Sequence, residues 1–234
     1  MQQEKSLTRA TLRTPKAAAV AGIAFCILLI AIMGLLKRSM PGNPLDAGEW
    51  ISANSGTVNL ALNLVPFAGI AFLWFIGVLR DRLEEQEDRF FATVFLGSAL
   101  LFLAMLFASA AVIGAMILTA GSVSQEVLNS ATFRFGRAAA FLIMNVYAIK
   151  MAGVFMISTS TILISTRITP RWIAFIGFCL AVALLLGSSY LTWSFVALPV
   201  WVMLISVYIL IDNYRSVRKE DAARPTETQS GGSA

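Results

Sequence analysis

Six long apolar runs divide the chain, each ending in charged or turn-forming residues. Residues 17–36 carry no charge and no strongly polar side chain, 60–79 carry one Asn, and 90–118 are charge-free. Residues 138–166 carry a single Lys, while 172–191 and 193–211 again carry no charge. A bilayer core of about 30 Å is spanned by about 20 such residues in a helix. The runs are continuous rather than alternating, so they predict helices and argue against a barrel. The first run is longer than a signal-peptide core. It ends in Leu35, Leu36, Lys37 and Arg38 without a small-x-small cleavage site, which predicts an uncleaved first helix. The expected fold is all-α: a polytopic transmembrane bundle of six spans over 17–215, between a cytoplasmic tail at 1–16 and a flexible cytoplasmic tail at 216–234.

The ends of the runs supply an orientation. Lys5, Arg9, Arg13, Lys16, Arg80, Arg82, Arg89, Arg167, Arg171, Arg215, Arg218, Lys219 and Arg224 flank one side of the predicted spans. Only Lys37, Arg38, Arg134 and Arg137 flank the other. By the positive-inside rule both termini are expected in the cytoplasm. Thr169-Pro170 reads as an N-cap followed by proline at the first helical position. The link 187–192 is short enough for a tight hairpin, with Tyr190 and Trp193 in an outer aromatic belt and Trp172 in an inner one. Arg80 with Glu84 and Glu85 with Arg89 are spaced for i,i+4 pairs. Outside, 46–54 is expected as a short surface helix, and Ser122 with Gln125 as a capping box.

Helices in lipid associate by close packing of small residues. Three faces fit: Ala18 and Gly22; Gly177 and Ala181; and Ala104, Ala108, Ala111 and Ala115. The third helix is therefore expected to be central, with Ala108 against a neighbour. Pro66 and Pro199 lie inside the second and sixth runs, where each removes a backbone donor and is expected to bend or loosen the helix. Asn63 stands one turn before Pro66. It is placed either to bond the carbonyl that proline frees or to line a polar cavity beside a broken helix.

Composition then narrows the chemistry. The chain is 58% hydrophobic and 13% charged, too little charge to coat a water-facing surface. Its net +5 is not gathered into a basic stripe with aromatics, so nucleic acid is not an expected partner. There is no histidine, which removes His-dependent metal, haem and triad chemistry. Cys26 and Cys179 lie in separate runs and read as small buried residues. No cofactor is implied.

Lys150 is the one charge within a run. A central Lys opposes insertion by about 2.5–3.5 kcal/mol, so it needs accommodation. It can be bonded structurally, snorkel to an interface, or line a cavity for a polar ligand or proton. Tyr147, Gly153, Ser158, Thr161 and Ser165 share its face at helical spacing, and no run contains Asp or Glu. The candidate binding set is Lys150, Asn63, Tyr147 and Ser158, with Lys150 expected to point into a cavity shared with Asn63.

The turn Arg167-Ile168-Thr169-Pro170-Arg171-Trp172, ahead of a Gly- and Ala-rich helix, resembles the inner turn of a broad group of uncharacterised bacterial six-helix membrane proteins. The helix pattern is similar over most of the chain. The resemblance implies a six-helix bundle in a bacterial inner membrane, and it brings no activity or functional residues. Three function classes stay open. One is a small transporter or channel-like protein with a polar site at Lys150. The second is a non-catalytic accessory or structural subunit of a membrane complex. The third is a membrane enzyme, which lacks paired carboxylates in a span and a phosphate loop. Expected partners are the lipid bilayer and either a second copy or another membrane protein.

Overall fold

In lipid each peptide group must find its partner within its own helix, and the computed structural model is helical wherever regular structure occurs among its described residues. These are 2–43, 45–46, 49–81, 89–122, 124–128, 130–166, 169–187 and 194–223. The elements are α1 (Gln2–Ser39), α2 (Glu49–Asp81), α3 (Arg89–Ala120), the single turn α4 (Gln125–Leu128), α5 (Ala131–Leu142), α6 (Ile149–Thr166), α7 (Arg171–Gly187) and α8 (Ser194–Ala223). A π-helical turn, Ile143–Ala148, joins α5 and α6 into one rod. Five stretches are long and apolar enough to cross a membrane: Lys16–Ser39, Ala53–Arg80, Phe90–Ala120, Ala131–Ser165 and Ser194–Arg215. The remaining run forms α7, whose 17 residues reach about 26 Å, at the lower edge of what a bilayer core requires.

Several elements differ from the sequence expectation. The segment expected as an N-terminal tail is helical from Gln2, in keeping with its Gln, Glu, Lys, Leu and Arg, all good helix formers. Likewise α8 runs on to Ala223. The predicted surface helix at 46–54 is instead the beginning of α2, which starts at Glu49. Ser122 does not cap α4: its Oγ donates to the Thr119 carbonyl at the end of α3, 2.9 Å away. The buried Thr169 hydroxyl has no partner among the described residues, so it does not cap α7. Both proline-containing helices continue without interruption through Pro66 and Pro199. The charged pairs of 80–89 and the belt residues Tyr190 and Trp193 fall on segments that lie wholly or partly outside the described residues.

The rods form a ring in chain order: α1 on α2, α2 on α3, α3 on the α5–α6 rod, α6 on α7, α7 on α8, and α8 back on α1. Neighbours run antiparallel. Position 69 of α2 meets Leu103 and Phe107 of α3, while Leu62 meets position 114. At the closing seam Lys16 lies over the Tyr214 ring at 5.2 Å and Lys37 over Phe195 at 4.0 Å. Lys16, Arg80, Arg171 and Arg215 therefore share one end of the bundle, and Lys37, Arg38, Arg134 and Arg137 share the other.

Aromatic rings from five helices fill the ring's axis. Phe25 and Phe72 lie 4.6 Å apart, Phe72 meets Phe102 and Phe155 at 5.4 Å, and Phe155 meets Trp201 at 6.4 Å. Small residues let the rods close around them. A side chain on Gly22 would run into Ser206 and Phe75, and one on Gly177 into Ser160 and Trp201. Ala18, Gly22, Gly177 and Ala181 are buried as expected. The third face is reversed: Ala104, Ala108, Ala111 and Ala115 are all exposed. The other side of α3 carries Phe95, Phe102, Leu103 and Leu106, which fill the core and turn the alanines outward.

Candidate functional site

The rod carrying Lys150 is not a uniform helix. Its buried positions before the π-turn are Phe133, Arg137 and Ala140; Ala148, the last residue of the turn, is buried, and after it come Ile149, Ala152, Phe155 and Met156. At a uniform 3.6 residues per turn the centre of the second set would stand roughly 100° round the rod from the centre of the first. A π-turn holds an extra residue, and each extra residue rotates the downstream helix by roughly 100°. That rotation keeps both halves facing the core and turns Lys150 away from it. Lys150 is exposed, and Tyr147, one turn earlier, is 57% exposed on the same side.

The expected convergence with Asn63 and Ser158 does not occur. Asn63 is exposed and makes no hydrogen bond among the described residues, so it does not occupy the carbonyl that Pro66 frees. Ile149 shares a cavity wall with Phe102, whereas Leu62 touches position 114. The two places are about 12 residues apart along α3, roughly 18 Å. Ser158 is buried, and its hydroxyl donates to the Val154 and Phe155 carbonyls of its own helix, both at 3.0 Å. Gly153 packs on Leu185 and Ala181 of α7, and Thr161 bonds back to Ile157 at 3.0 Å. The predicted polar stripe thus splits, with Tyr147 and Lys150 outside and Ser158 inside. The physical reason is the aromatic axis, which leaves no room for a hydrated ammonium. The cavity beside it, lined by Leu29, Met33, Phe102, Met144 and Leu198 among others, has about 10 Å³, barely the space of one water.

A second constellation centres on Arg137, which in the sequence reads only as a boundary charge. It is 5% exposed. Its Nη2 donates to the Pro41 carbonyl, and its guanidinium carbon stands 5.2 Å from the Trp50 ring centre. Asp46 is near enough to act on it electrostatically. The loop reaching Arg137 is set by Asn43, whose Nδ2 donates to Asp46 Oδ1 at 3.0 Å while its Oδ1 accepts from the Leu45 amide at 3.0 Å. Asn54 ties the start of α2 to the Ser39 carbonyl at 3.1 Å. Below them Trp50, Ile51, Val58, Ile113, Met116, Leu128 and Phe133 form a second, smaller core. Arg137 thus ties Pro41 and, at the start of α2, Trp50 to α5. The available signal was its spacing: Phe133, Arg137 and Ala140 share one otherwise apolar face.

No family model, curated protein or solved structure matches the chain. Among the described residues no group of three metal-ligating side chains is placed to hold an ion. Cys26 is buried and its thiol donates to the Pro199 carbonyl at 3.0 Å, while Cys179, expected to be buried, is exposed.

Proposed function

We propose that the chain is an integral membrane protein of six spans with both termini in the cytoplasm, acting as a non-catalytic accessory or structural subunit of a membrane complex. Five apolar stretches of spanning length support the membrane assignment. The ring supports a sixth crossing, because α7 packs between α6 and α8 as an antiparallel neighbour of both. The gathering of basic residues at one end supports the cytoplasmic orientation, and a bacterial inner membrane is the setting that the family resemblance implies.

One observation carries the choice of subunit over transporter. The bundle axis is packed with Phe25, Phe72, Phe102, Phe155 and Trp201, while Lys150, Tyr147 and Asn63 are on the outside. A carrier needs polar groups around an internal site; here Lys150, Tyr147 and Asn63 face whatever surrounds the bundle, and buried hydroxyls such as Ser158 and Thr159 bond back to their own helix. Purification in mild detergent tests the reading. A stoichiometric membrane-protein partner supports it, and a monodisperse lone chain that moves solute in vesicles overturns it. Reporter fusions after Arg218 test the topology: activity confined to the outer face would refute both termini being cytoplasmic.

A further inference from the structure

Lys150 lies 19 residues from Ala131 and 15 from Ser165, the ends of its apolar stretch, so its Cα is close to the middle of that rod. It is exposed on the bundle's exterior and has no hydrogen bond or ion pair among the described residues. Tyr147 presents a phenol one turn away on the same face. An ammonium at such a position against lipid alone is poorly solvated, and intramembrane cations are typically paired.

We propose that the outward face of α6 at Tyr147 and Lys150 is a docking surface for a partner's transmembrane helix carrying an Asp or Glu near mid-depth. This rests on the reading of the chain as a subunit. Charge complementarity selects the occupant. The spans of this chain hold no Asp or Glu apart from Asp212, three residues from the Arg215 end of its span. In a second copy of the same orientation, that carboxylate would sit about 12 residues deeper than Lys150, on the order of 18 Å. Self-association therefore leaves the ammonium unmatched, and the acid must come from another chain. The π-turn contributes directly, since its extra residue brings Lys150 round to the exterior. With a carboxylate docked, the ammonium donates to one oxygen and the Tyr147 hydroxyl reaches the same group, so the pair is held by hydrogen bonds as well as charge.

The test uses the full-length chain in phosphatidylcholine vesicles with a synthetic leucine-rich transmembrane helix bearing one central Asp, and reads association by energy transfer. Association is expected to be roughly tenfold tighter than for the same helix with Leu in place of Asp. Lys150→Met should abolish that preference, Lys150→Arg should retain it, and Lys150→Asp should transfer it to a Lys-bearing helix. Lys150→Met removes a charge without adding bulk, and an unchanged detergent melting temperature would establish that it folds. If the Asp helix binds no better than the Leu helix, or binds the Lys150→Met variant equally well, the proposal is overturned and the ammonium is satisfied by lipid headgroups. The subunit reading fails separately, if the chain purifies from its own membrane without a partner. A stoichiometric partner retained by Lys150→Met overturns the docking face while leaving the subunit reading intact.

Discussion

Adding one methyl group at Gly177 should destabilise the bundle, although Gly→Ala within a helix ordinarily stabilises. The intrinsic gain is about 1 kcal/mol at most. Against it, a Cβ at this position would lie 2.6 Å from Trp201 Nε1 and 2.8 Å from Cε2, and would also strike the Ser160 hydroxyl. Trp201 has little freedom to retreat. It is fully buried, its ring meets Phe155 at 6.4 Å, and its Nε1 donates to the Ile173 carbonyl at 3.4 Å. Overpacking of this kind costs about 1–3 kcal/mol, so against the full intrinsic gain the net effect is a loss of up to about 2 kcal/mol. At about 2–4 °C per kcal/mol for a chain of this size, Gly177→Ala should melt several degrees below wild type in detergent, followed by tryptophan fluorescence. Gly34 has nothing within 4 Å of its would-be Cβ, so Gly34→Ala is the matched control and should melt at or slightly above wild type. Ser160→Ala should recover part of the loss, because it removes one of the two clashing groups and a buried hydroxyl without a partner among the described residues. If Gly177→Ala is as stable as Gly34→Ala, the close approach of α7 to α8 is wrong.

Three further outcomes are expected. Ala108→Leu should leave the melting temperature unchanged, within about 0.5 kcal/mol, since its face is exposed; a loss of several degrees would mean that α3 packs on this side. Phe155→Ala should cost about 3–5 kcal/mol by leaving a void among Phe72, Phe95 and Trp201, read as a lower midpoint in denaturant titration. Arg137→Ala should cost about 2–4 kcal/mol through the lost Pro41 bond and Trp50 contact, and should expose the chain between α1 and α2 to added protease. Arg137→Lys should fail to restore protection because a point-like ammonium cannot both stack on Trp50 and reach Pro41.

The rods were legible because apolar length is a local property: every predicted run lies within a helix over the residues described. So were the faces of α1 and α7, where Gly22 and Gly177 stand at positions that tolerate no side chain. The asymmetric basic residues could be assigned to two ends because run boundaries are also local. The direction of each face was a different matter. In a soluble protein, polarity marks the outside of a helix. A rod in lipid is apolar all round, so the spacing of Ala104, Ala108, Ala111 and Ala115 defines a face without saying where it points.

Only the assembled ring decided that. Once the bulky residues of α3, led by Phe102 and Leu106, took the axis, the alanines had to turn outward. The same holds for Lys150. Helical spacing joined it to Ser158 in one stripe, but eight residues at 3.6 per turn leave the two roughly 80° apart around α6, and packing against the neighbouring rods buried one and left the other exposed. Arg137 finds Pro41 across 96 positions of sequence, a distance over which no periodicity carries information. Sequence alone therefore determined which apolar segments are helices, because that depends on each residue's own solvation, while the polar ends of α1, α2 and α8 ran beyond those segments. Which side of each helix became interior depended on how the large side chains shared one confined axis.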